Sequence, residues 1–288
     1  MRDLYRNAVA VMHSAFRRLE QQTPRPIEKV IQGGYARRYQ EETVQQAVLL
    51  KLARYISGLN AGDLLLQNGY VQELAVLQRT LDEIHEDILF LLFEPPATGE
   101  GRGLRKDYLK RFWAEEFEEG VPIMEQSKGR YHIPRGQIRA YIEKRTKSST
   151  QQGERAAAIL HQAYSGFVHA AAPFVMEMCE GNDCTFLLQG LLGTHRVREH
   201  EEDFWNQHYR GLLSFRATAN VCGDQALETE IDDYMTIFEA RSGTSYMADA
   251  RRELSGKHRA RRTGRPQEAG SGASGGDGRA DRDVAEDG

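Results

Sequence analysis

The sequence predicts an all-α fold, a multi-helix bundle over residues 1–240 followed by a disordered tail over 241–288. Three observations predict it. Apolar side chains recur at steps of three and four through nearly every segment, the spacing that lines one face of a helix. No alternating run is long enough for a useful strand, and no internal repeat occurs. Beyond about Ser242 the composition turns to Gly, Ala, Ser, Asp and Arg, which can bury too little apolar surface to offset chain entropy.

The elements follow in order. Leu4, Ala8, Val11, Ala15 and Leu19 draw the first helix, and Thr23-Pro24-Arg25-Pro26 ends it, because proline lacks an amide proton and restricts its predecessor. A second helical stretch covers roughly Glu41 to Gln67, with Asn60, Gly62 and Gly69 as expected breaks. The third is the clearest: Leu74, Leu77, Leu81, Ile84, Ile88 and Leu91 make one stripe, and Pro95-Pro96 stops it. A shorter helix is expected over Leu104–Glu119, then a loop with Gly120, Pro122 and Gly129, then a basic helix from near Pro134. An Ala-rich helix should run from about Gln151 to Ala172. Thr185 to Val221 reads as a short and a long helix divided near Gly193, and Gln225 to Ala240 closes the body.

Composition excludes several classes. The apolar runs are a few residues long, against the roughly 20 needed to span a bilayer. The N-terminus passes directly into a charged amphipathic pattern, which is not that of a signal peptide. Cys179, Cys184 and Cys222 lack zinc-type spacing and read as reduced thiols, so a soluble cytoplasmic protein without membrane association is expected. Residues 1–240 carry 28 Lys/Arg against 34 Asp/Glu, an acidic body. Gln126 to Lys147 runs the other way, with seven basic residues against Glu143 alone.

Arg79 and Glu83, four residues apart, share a face nearly opposite the leucine stripe. They form a solvated pair, or a covered one if a second layer of helices lies over them; Phe90 on the same side argues for cover. A second polar set, His161, Tyr164, Ser165 and His169, occupies one face of the Ala-rich helix. Buried polar groups need partners, so Arg79, Glu83, Tyr164, Ser165 and His169 are expected to converge in one cluster between two helices.

Arg79-x-x-x-Glu83, followed by Tyr164-Ser165-x-x-Val168-His169-Ala170, resembles a family of uncharacterised bacterial helical proteins, a domain of unknown function. The run Pro173 to Met178 is similar to that family too. The resemblance covers about residues 40–225 and implies an all-α domain that pairs those two helices; it implies no activity.

Other chemistries weigh less. Arg79-x5-His85 has the spacing of HEPN-type ribonucleases, but with 30 arginines such pairs arise by chance. A six-residue offset also turns the two side chains about 120° apart on a helix. A di-metal bundle would need repeated acidic-x-x-His pairs, and only Asp82-x-x-His85 is present, so no metal and no cofactor is expected. No phosphate-cradling glycine loop and no Gly-x-Ser-x-Gly turn occurs. Arg135, Arg139 and Arg145 are the polyanion candidates, with Tyr131, His132 and Tyr141 among them. Their bland alternative is a solvated helix balanced by the acidic Glu115–Glu119 run. The leading expectation is therefore a helical binding or scaffolding domain whose partner is unknown and whose oligomeric state, homo-oligomer included, is open. An RNA-directed helical nuclease and a metal-binding bundle are the alternatives.

Overall fold

A computed structural model describes residues 1–31, 33–94, 101–115, 117–118, 120–126, 133–146 and 164–245, all within one compact unit, Met1–Asp249. The tail, most of the Ala-rich helix with His161, and Tyr131 and His132 lie outside the described residues.

The fold is an all-α bundle. Its long helices among the described residues are α1 (Arg2–Gln21), α2 (Val44–Gln67), α3 (Val71–Leu92), α4 (Arg102–Trp113), α5 (Arg135–Thr146), α6 (His195–Val221) and α7 (Gln225–Ser242). Five of them, α1, α2, α3, α6 and α7, pack around one core, in which Tyr5, Leu52, Tyr55, Leu74, Leu81, Phe90, Phe204, Phe215 and Phe238 are essentially sealed from water. Helix α5 lies on α3, and α4 lies against α2. The helix ends carry their expected chemistry. Thr43 and Gln46 form a reciprocal capping box at α2, and Asp224 accepts the Leu227 amide at 3.1 Å to start α7. No helix of the described residues is long and apolar enough to cross a membrane.

Four expectations need correction. Asn60 and Gly62 do not interrupt α2. Gly62 is instead a point of close approach, where a Cβ would sit 2.5 Å from the Phe204 ring. The chain between Thr23 and Gln46 holds an antiparallel hairpin, β1 (Ile27–Ile31) with β2 (Gly34–Arg38), paired Ile27 to Arg38 and Val30 to Tyr35. Residues 185–193 are not a short helix. Thr185–Phe186 (β4) pairs with Cys179–Glu180 (β3), and a loop then docks on the α2–α3 turn through the Leu191 amide to the Gly69 carbonyl, 2.8 Å. Finally, Cys179 and Cys184 are joined by a disulfide that closes this second hairpin, with Cα atoms 4.9 Å apart, and Cys222 alone is free. Their Cα separation falls within the span a disulfide bridges, whatever the spacing suggests for zinc.

Candidate functional site

Helix α3 is central, and polar side chains leave it on two sides. Toward α6 and α2, Asp82 accepts from Gln207 Nε2 at 2.7 Å and pairs with Arg210. The Tyr55 hydroxyl donates to the Gln207 carbonyl at 2.8 Å. Next in line, His85 Nδ1 lies 2.7 Å from Ser214 Oγ. This histidine is inside the core, and burial, with the neighbouring Arg210 charge, pushes its pKa down to about 3. It is a neutral, satisfied core imidazole. His208 on α6 is similar: it stacks on the Tyr5 ring at 4.2 Å, and burial lowers it to about 4.

On the other side, α3 meets α5, α4 and α2 around Asp87. Lys51 Nζ reaches Asp87 Oδ2 at 2.7 Å, and Arg135 Nη1 reaches Oδ1 at 2.5 Å. Arg135 also approaches Glu83 Oε2 at 3.5 Å, and Arg139 Nε meets Glu86 Oε1 at 2.7 Å. Burial opposes the Arg135 charge, but Asp87, Glu83 and Glu86 outweigh it and hold its pKa up. Burial pushes the Glu86 carboxyl up despite Arg139, and burial followed by the Asp87 charge raises the Tyr108 phenol. The result is a covered ion-pair network shared by four helices.

The anticipated residues fall into three groups. Arg79 and Glu83 do pair, Nε to Oε1 at 3.3 Å, with side chains only 21% and 29% exposed because α5 covers this face. Tyr164, Ser165 and His169 lie in the short described stretch that begins at residue 164. Its His169 amide donates to the Ser165 carbonyl at 3.1 Å, and Phe167 packs on Phe174 and His200. Gln72 Nε2 ties this stretch to the start of α3 through the Phe174 carbonyl at 2.9 Å. The third group, Arg135, Arg139 and Arg145, faces inward. Arg145 lies 3.4 Å above the Tyr141 ring and donates to the Glu94 and Tyr141 carbonyls. The counter-charge of α5 is therefore on α3, whereas Glu115 is held by Arg38 through two bonds of 2.6 and 2.8 Å. Lys51, Asp87 and Tyr108 were missed. One signal existed: Asp87 sits within the apolar stripe, three residues after Ile84 and one before Ile88.

Among the described residues no group of three or more His, Cys, Asp or Glu could hold a metal ion.

A cleft of about 1260 Å³ opens between the C-terminal end of α1, the β1–β2 hairpin, α2 and the end of α4. Phe16, Leu49, Leu50, Ala53, Tyr39, Phe112 and Trp113 give it an apolar and aromatic lining, and Arg25, Arg37 and Arg38 stand on it. Tyr39 meets Trp113 edge to face at 6.2 Å, and Phe112 does so at 4.9 Å. Arg37 is paired with Glu28 and Arg38 with Glu115, which leaves Arg25 without an ion pair among the described residues. Beyond Trp113 lies a smaller groove of about 500 Å³ along α4, bounded by Glu41 and Glu42 on its other wall.

By fold and site this is an all-α bundle with an internally paired polar centre and an open aromatic cleft. No family model, curated protein or solved structure matches the chain.

Proposed function

We propose that the chain is a non-enzymatic binding domain whose ligand enters the cleft between α1, the hairpin, α2 and α4. The supporting observation is a contrast in use. Glu83 and Asp87 are held by Arg135, Asp82 by Gln207 and Arg210, and the buried His85 by Ser214, so these groups already have partners. The cleft is concave, large enough for a small organic molecule or part of a chain, and lined by aromatic rings with a few polar groups. A nuclease centred on Arg79 and His85 would need an accessible imidazole able to take a proton near neutral pH. A pKa near 3 in the core argues against that role for His85.

The test is a thermal-shift screen run in parallel on the wild type and Leu50→Glu. Leu50 lines the cleft and is 41% exposed, so a carboxylate there alters the cleft with little effect on the fold. Compounds that stabilise the wild type and lose that effect in Leu50→Glu support the reading. Hits that stabilise both proteins equally would overturn it.

A further inference from the structure

Two basic helices were available to bind a polyanion, and the one with free charge is α4. Arg102, Arg105, Lys106 and Lys110 line the smaller groove together with Leu109 and Trp113. At about 100° per residue these six side chains fall within roughly 140° of arc, one continuous face about 12 Å long between Arg102 and Lys110. The opposite face carries Leu104, Tyr108 and Phe112 into the core. Among the described residues none of the four cations takes part in an ion pair, and Arg102, Lys106 and Lys110 are exposed. The helix thus turns its charge outward on an apolar anchor, with Glu41 and Glu42 on the far wall of the groove.

Trp113 makes this more than a charged surface. It ends the basic face and also lines the large cleft, so the groove and the cleft meet at one indole. Among the described residues its Nε1 has no hydrogen-bond partner, although the atom is shielded from water. Past the indole stand Tyr39 and Phe112, and the guanidinium of Arg25. Clustered cations next to an aromatic-lined recess answer a ligand that alternates phosphate with flat rings. The cations track the backbone, and an unstacked base lies on the indole. A duplex keeps its bases stacked inside and could not use the recess. A bilayer surface would need neither the recess nor its rings.

We infer that α4 and Trp113 form a binding surface for single-stranded nucleic acid, with phosphates along Arg102, Lys106 and Lys110 and a base entering the cleft at Trp113. The inference rests on the cleft being the binding site, but its phosphate half stands on the α4 groove alone. The acidic wall of Glu41 and Glu42 narrows the charged track to the α4 side.

The experiment is fluorescence anisotropy of the full chain with labelled ten-residue oligouridine and oligothymidine, a duplex of the same length, and inorganic phosphate as competitor. Vesicles with and without phosphatidylserine are tested by co-sedimentation. Three or four neutralised phosphates predict roughly a 20- to 50-fold loss of affinity between about 50 and 200 mM salt. Binding should quench tryptophan emission, a report on Trp113 because Trp205 is 2% exposed. The triple variant Arg102→Glu, Lys106→Glu, Lys110→Glu should lose at least tenfold. A control of equal charge change, Arg2→Glu, Arg6→Glu, Arg198→Glu, should keep its affinity. Loss in the α4 variant with no change in Leu50→Glu would keep the phosphate track and overturn base entry and the cleft reading. Equal loss in both triple variants, duplex binding as tight as single-strand binding, full displacement by millimolar phosphate, or retention on anionic vesicles without oligonucleotide binding would each overturn the inference.

Discussion

Helices α4 and α5 are both twelve residues long and rich in arginine and lysine, and they use that charge in opposite ways. On α5, Arg135 and Arg139 point at Asp87, Glu83 and Glu86, and Arg145 covers Tyr141. Its charge is spent inside the molecule, fixing how α5 lies on α3. On α4 the apolar residues do the anchoring, and Arg102, Lys106 and Lys110 remain outside. Basic composition alone therefore does not mark a binding surface. What matters is whether carboxylates wait on the neighbouring element, and α3 supplies three to α5.

The contrast can be broken by measurement, beginning where the effect should be largest. Replacing Asp87 with Leu strands Lys51 in a covered site and leaves Arg135 with Glu83 alone. Unfolding stability should fall by roughly 3–5 kcal/mol in urea titrations, the cost typical of breaking a buried pair from one side. A loss below about 1 kcal/mol would mean that the network is wetter than the exposures indicate. Arg135→Ala should cost less, roughly 1.5–3 kcal/mol, because Lys51 still answers Asp87.

The third prediction concerns the other side of α3. His85 in the folded state titrates at about 3, below the ordinary 6.5, so the unfolded chain takes up the proton first. Its contribution is whole above about pH 6.5 and declines as the pH falls toward 3, by about 1.4 kcal/mol per pH unit. His208 adds the same sign down to about pH 4. In His85→Gln the acid limb of the stability curve should be shallower by close to one proton; an unchanged slope would show that His85 is charged in the folded protein. Smallest of all, Lys106→Glu or Lys110→Glu on α4 should move stability by no more than about 0.5 kcal/mol, as surface changes do. A larger drop would place those side chains in structural pairs and erase the difference between the two helices.

The helices were legible because periodicity reports burial directly. The stripe from Leu74 to Leu91 appears in the structure as the core face of α3, with Leu74, Leu81, Ile88 and Leu91 fully buried. Thr23 to Pro26 ended α1 as proline chemistry demands, with the helix closing at Gln21. The β1–β2 hairpin was not legible, because five-residue strands that leave Val30 65% and Tyr35 78% exposed carry no alternation of buried and solvated positions. Gly62 misled for a related reason: a glycine in a helix reads as a break unless the ring packed against it is known. The charges of Arg135 and Arg139 could be counted in the sequence, but their carboxylates are some fifty residues away, and only the fold says that α5 crosses α3 there. The cleft is likewise assembled from four segments, none of which has a local signature for it.

The Arg38–Glu115 link deserves a last consequence. It ties the hairpin to the end of α4 on the wall of the cleft, and both side chains are 41% exposed. Exposed pairs of this sort are worth roughly 0–1 kcal/mol, and a lone two-stranded hairpin is marginal by itself. Paired and unpaired states of the link then differ in population by no more than a factor of about five. The pair is a loose clasp, set near balance, that added salt loosens before any of the core is touched.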